Sequence, residues 1–172
     1  MSALRAVREL DLPCWCIGAG AVRNLVWDAL HHHTPPSALP DVDVAYFDAV
    51  SISADRDSAM QARLGVFGPG VPWEVTNQAG VHLWYESHFG HRVEPLQSLE
   101  QAVASWPEFA TCVGVRLESN NVLTVIAPHG LDDVFSMIIR RNPARASVEA
   151  YRQRGASKRY AQRWPKVWVV PC

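Results

Sequence analysis

The run Asp41-Val42-Asp43-Val44 constrains this chain more than any other stretch. Residues two apart on a strand point to the same side, so an extended reading puts both carboxylates on one face and the valines on the other. Like charges held a few ångströms apart repel, and acidic residues are poor strand formers, so the pair is a weak stability device. It suits a divalent cation better. Mg²⁺ binds through one or two carboxylates and completes its shell with water and substrate phosphates. The fold must then supply a strand with one apolar face for a core and one acidic face for a ligand. Solvated surface carboxylates are the competing reading.

Upstream stands Gly18-Ala19-Gly20. The apolar segment Cys14 to Ile17 precedes it, and Ala21 to His32 follows with Val22, Leu25, Val26, Ala29 and Leu30 on one helical stripe. The order is strand, glycine turn, helix. Glycine lets a backbone approach a ligand closely, and a helix N-terminus offers N–H groups and partial positive charge to phosphate. Gly18 and Gly20 are therefore candidate nucleotide-binding positions, with Arg23 and Asn24 of the first helical turn beside them. A dinucleotide-binding fingerprint is not met, because its third glycine would fall at Arg23. Glu74, in the short strand-like segment Trp73-Glu74-Val75, is the natural third carboxylate. An exposed alternating position is its plainer reading.

The remaining pattern places helices over residues 2–11, 55–67, 78–89, from Ser98, and over 131–139. Ser98 and Gln101 form a capping-box pair. Residues 111–117 and 122–127 read as a hairpin around Ser119-Asn120-Asn121. Residues 147–162 read as a polar, basic surface helix. Five or six short strands interleaved with helices give a mixed α/β or α+β domain. With 172 residues the chain suits one domain over 1–172, carrying a basic helical tail at about 145–172.

A net charge of -1 argues against the broad basic surface of a strong nucleic-acid binder, although Arg140 to Lys166 is locally basic. Cys14, Cys16, Cys112 and Cys172 form no Cys-x-x-Cys and read as reduced thiols, which together with the lack of a membrane-length apolar run suggests a cytoplasmic protein.

Three carboxylates beside a phosphate cradle suit nucleotidyl transfer. Asp41, Asp43 and Glu74 would hold Mg²⁺, with Mn²⁺ as a substitute, and Glu74 could alternatively accept the proton of an acceptor hydroxyl. These residues resemble the core signature of the polymerase-β-like nucleotidyltransferase superfamily. More closely, the chain resembles a family of small bacterial nucleotidyltransferase-like proteins. The matching stretches are Gly18 to Trp27, Asp41 to Asp48, Trp73 to Ala79 with His82-Leu83-Trp84, and Ala127 to Asp133. The resemblance implies a small mixed sheet flanked by helices and metal-dependent transfer of a nucleoside monophosphate from an NTP. It carries Asp41 and Asp43 over as metal ligands, Glu74 as the third carboxylate, and Gly18 and Gly20 as phosphate-loop positions.

The acceptor, whether small molecule, protein or RNA, is left open by the residues, as are the nucleobase and the oligomeric state. A non-catalytic nucleotide-binding or antitoxin-like partner protein on the same fold is the alternative, and a metal-dependent phosphohydrolase is a third reading. His31-His32-His33 reads as a helix-end cap more than a metal tract. His82 and Trp84 read as packing groups, and His129 with Asp132-Asp133 as a capped turn. Lys158, Arg159 and Arg163 suit either acceptor phosphate or a solvated basic face. Trp27, Trp73, Trp84 and Trp106 suit either a base-stacking wall or the core.

Overall fold

Strand β1 (Trp15–Gly18) is the centre of a five-stranded sheet in the computed structural model, which describes residues 1–172. The order is β3-β2-β1-β4-β5, with β2 at Val42–Tyr46, β3 at Trp73–Asn77, β4 at Gly114–Leu117 and β5 at Leu123–Ile126. β2 and β3 run parallel because helix α3 (Ala54–Phe67) carries the chain back between them. All other neighbours are antiparallel. The β4–β5 hairpin turns at Asn121, which takes a left-handed backbone with φ 64°. Mixed strands flanked by helices match the expected α+β class.

The alternation in β2 divides the sheet. Val42, Val44 and Tyr46 pack with Trp15, Ile17, Leu64, Trp73 and Val75 on one side. On the other, Ala45 and Cys16 pack under Leu99 and Val103 of α5 (Leu99–Ala104), and Asp43 shares that side. Ser98 caps α5 through the Gln101 N–H at 3.1 Å. A third cluster joins Trp27 to Tyr151, Tyr160, Trp164 and Val167, so the C-terminal segment is packed against helix α2 (Ala19–Leu30).

Several expectations need correction. α2 starts at Ala19, and its buried face is Arg23, Asn24, Trp27 and Asp28, whereas Leu25 is 69% exposed. Polar residues occupy that face because each finds a partner. Asp28 accepts from the Ser37 N–H at 2.8 Å and from Trp164 Nε1 at 2.7 Å. The helix read over 131–139 is only α6 (Asp132–Phe135). Met137, at φ 56°, then turns the chain into β6 (Ile138–Ile139), which pairs in parallel with β7 (Trp168–Val169). The helix read over 147–162 breaks at Arg159 (φ 48°) into α7 (Val148–Lys158) and α8 (Tyr160–Arg163). It is no simple surface helix, since Tyr151 and Tyr160 are buried. The helix read over 78–89 is a 3-10 turn at Gln78–Gly80 followed by α4 (Val81–Phe89). No helix is long and apolar enough to cross a membrane.

Candidate active site

Asp43 and Glu74 are register partners in the parallel β2–β3 pair, so they stand side by side on one face. Gly18 pairs with Gly114, and extending the Ile17–Val44 pairing by one residue brings Gly18 beside Asp43. One row across the sheet thus reads Gly114, Gly18, Asp43, Glu74. Two residues without side chains lie next to two carboxylates. Asp41 precedes β2 with the parity of Asp43, and its Oδ1 lies 3.8 Å from where a Gly20 Cβ would stand, so it faces the glycine turn.

Asp43 and Glu74 open into a cleft of about 190 Å³ that Ala19, Thr76, Gln78, Trp106 and Arg154 also line. Asp41 lies outside that lining, yet its charge acts on Asp43. Burial first, then repulsion from Asp41 and Glu74, push the Asp43 carboxyl up to about 6, against the pull of Lys158 and Arg154. Oxygen-only donors and stored like-charge repulsion fit a hard divalent cation. The side chains form no ready-made cage of three ligands. A Mg²⁺ bound by this row would take the rest of its shell from water and phosphate.

The glycine turn is built tightly. A Cβ on Gly18 would sit 2.4 Å from Trp106 Cη2 and 3.1 Å from the Val113 carbonyl oxygen, so only glycine fits beneath that indole. Ala19 takes a left-handed backbone (φ 50°) and donates its N–H to Val113 O at 3.1 Å. Helix geometry leaves the next N–H groups of the first turn, at Gly20 and Ala21, without an intrahelical partner.

Arg23 and Asn24 are not brought to the cleft. Arg23 is 3% exposed, and its Nη2 donates to Asn24 Oδ1 at 2.8 Å. Its guanidinium lies over the Tyr160, Trp27 and Trp164 rings at 4.9, 5.2 and 5.9 Å. Arg23 Nη2 also lies 3.8 Å from where a Gly20 Cβ would stand, the same distance as Asp41 Oδ1, so the buried pair braces the glycine turn. The reason is helical phase: positions 23, 24, 27 and 28 share the inward face of α2.

Two residues that sequence reasoning missed organise the cleft. Glu108 is 0% exposed and accepts from Arg154 Nε at 2.8 Å and Nη2 at 3.1 Å. Tyr160 OH donates to Glu108 Oε1 at 3.2 Å, and Arg23 Nη1 donates to Tyr160 OH at 3.4 Å. Burial alone would raise the Glu108 carboxyl, but the hydrogen bonds and charge of Arg154, the charge of Arg23 and the Tyr160 hydroxyl hold it below the ordinary range. The net effect on Arg154 is a raised pKa, since Glu108 outweighs the cost of its burial. Arg154 carries a local signal, since it lies four residues before Lys158 on one face of α7. Glu108 carries none.

The other singled-out residues fall elsewhere. His31 Nδ1 contacts Trp27 O at 2.8 Å and His33 Nδ1 contacts Asp28 at 3.1 Å, at the end of α2. Trp27 and Trp73 are core residues and Trp106 walls the cleft, whereas Trp84, expected to pack, is exposed on α4. Buried Asn77 ties β3 to the loop after β2, donating to Asp48 O at 2.8 Å and accepting from the Asp48 N–H at 3.0 Å.

A family model described as nucleotidyltransferase matches residues 5–169. A solved structure described as revealing a CCA-adding enzyme head domain is similar, with 27% identity and a TM-score of 0.84, over 100% of this chain and 89% of that one. A tRNA-processing enzyme in an apo form shares the fold at 15% identity and a TM-score of 0.56, over 98% of this chain and 42% of that one. Curated protein sequences provide no match.

Proposed function

Because the chain belongs to the nucleotidyltransferase family and is on that ground a transferase, we propose that it moves a nucleoside monophosphate from an NTP to an acceptor hydroxyl in a Mg²⁺-dependent reaction at the Asp43–Glu74 row. The register pairing of Asp43 with Glu74 beside the N-terminus of α2 is the observation that carries this reading. The acceptor oxygen bonds to the α-phosphorus. The bond from that phosphorus to the pyrophosphate oxygen breaks, and pyrophosphate leaves with the electron pair. The hydroxyl proton goes to Glu74, exposed at the end of the row, where that carboxylate is not taken up by the metal. Asp41, Asp43 and Glu74 would hold Mg²⁺, which when bound supplies Lewis-acid polarisation of the phosphate oxygens. First-turn amides of α2 and the Arg154 guanidinium would orient the leaving phosphates. Catalysis is then mostly positioning and electrostatics. The neighbour at 27% identity is described as revealing a CCA-adding enzyme head domain, which supports an RNA end among the acceptor classes.

The experiment is release of pyrophosphate from NTP by the wild type and Asp43→Asn. A loss of about 100-fold or more in the variant supports the reading. Equal turnover refutes it. Release of inorganic phosphate would indicate hydrolysis, and nucleotide binding without pyrophosphate release would indicate a non-catalytic partner.

A further inference from the structure

The nucleotide cleft is not the whole of the charged surface around the acidic row. A second groove, of about 600 Å³, runs between the loop that ends at Pro40 and the α7–α8 corner. Its charged lining is Lys158, Arg159 and Arg163, with no acidic residue. None of the three forms an ion pair with a carboxylate. In a chain of net charge -1, three cations in one groove without a carboxylate in its lining are a local concentration that attracts an anion. One of them is held in place and a second sits at the corner. Arg163 donates to Ala38 O at 3.2 Å and lies over the Trp164 ring at 4.2 Å. Arg159 forms the corner itself, at φ 48°, a backbone state that costs a non-glycine residue energy.

The groove's position gives the anion a role. Pro40 is joined directly to Asp41, so one end of the groove lies beside the carboxylate that faces the glycine turn. Lys158 lies one helical turn beyond Arg154, which lines the cleft. The triphosphate already has Arg154 and the α2 amides. A second cationic track leading to the same carboxylates suits a second, separately bound phosphate-bearing reactant.

We infer that this groove binds the phosphodiester backbone of the acceptor, a single-stranded oligonucleotide whose terminal hydroxyl is delivered to the Asp43–Glu74 row. The inference rests on the nucleotidyltransferase reading for its role, but the binding itself does not need the chemistry. Three contacts are too few for tight generic binding. They give a salt slope of about -2 for a single strand.

The test is fluorescence anisotropy with a short labelled single-stranded RNA, without NTP or metal, over a range of salt. Asn tolerates the left-handed backbone at 159, so Arg159→Asn with Arg163→Gln removes two charges while easing the corner. The expected result is a loss of about tenfold in affinity at low salt and a slope flatter by about 1.4. Arg92→Gln, which removes a distant exposed charge, is the control and leaves both unchanged. Thermal melting checks that each variant is folded. Wild-type protein that binds no RNA, or groove variants that bind as the wild type does, overturn the inference. So does displacement of the RNA by Mg²⁺–NTP in competition, which would assign the cations to the triphosphate. Absence of pyrophosphate release alongside intact groove-dependent RNA binding would sink the transfer reading and leave the groove standing.

Discussion

Arg154 grips Glu108 through two parallel N–H···O bonds, at 2.8 and 3.1 Å, while the same arginine lines the cleft that holds Asp43 and Glu74. A fully buried carboxylate thus aims a cation at the place where phosphates would sit. Its geometry is bidentate, which lysine cannot reproduce.

Arg154→Ala should leave the Glu108 carboxylate buried and unpaired, costing about 3–5 kcal/mol of stability. Arg154→Lys should cost less, about 1–3 kcal/mol, and raise KM for NTP more than it lowers kcat. The pH dependence has a definite sign. Because the folded-state pKa of Glu108 is depressed, its stabilisation is present above the unfolded carboxylate value of about 4.3 and is lost as pH falls through the folded value. Arg154→Lys should therefore unfold at a higher pH in an acid titration. Urea melts at neutral and acid pH, with steady-state kinetics, check both points.

Asp43 has the opposite sign. Its folded-state pKa of about 6 lies above the ordinary 3.8, so the folded protein binds the proton more tightly than the unfolded chain. Stability from this group falls as pH rises from about 4 to about 6, and the penalty is constant above that. Asp43→Asn should make the metal-free protein more stable near neutral pH, on the order of 1 kcal/mol, while abolishing turnover. The stability advantage should shrink below pH 4, where the wild-type carboxyl is protonated in both states. Thermal denaturation of the two proteins in chelator across that range measures the difference.

Gly18→Ala should destabilise the fold by about 1–3 kcal/mol, because the new methyl group meets Trp106 and the Val113 carbonyl. Trp106→Leu combined with Gly18→Ala should recover part of the loss, since the Trp106 contact is relieved and the Val113 oxygen, 3.1 Å away, is not. A double-mutant cycle by chemical denaturation gives the coupling. Simple additivity would mean that the indole does not press on Gly18.

The strand, turn and helix around Gly18, and the two-faced character of β2, were legible because valine and aspartate alternate at the period of a strand. Glu74 could be named as the third carboxylate, but its register opposite Asp43 could not be read, since that depends on how α3 crosses between two parallel strands. For Arg23 the sequence shows only a polar residue next to a glycine turn, and its burial among the rings of Trp27, Tyr160 and Trp164 depends on the distant C-terminal segment. Glu108 and Arg154 are far apart in sequence, with no periodic signal linking them. In α7 and α8 the buried groups, Tyr151 and Tyr160, are too sparse to register as an apolar stripe.

The most direct test of the acidic row is calorimetric titration with an α,β-methylene NTP above the Asp43 pKa of about 6, with Mg²⁺ or chelator, for wild type and Asp43→Asn. The expected result is nucleotide binding by the wild type that needs Mg²⁺ and weakens about tenfold or more in the variant. Binding that survives chelator, or that Asp43→Asn leaves unchanged, would contradict a divalent-cation nucleotide site built on Asp43 and Glu74.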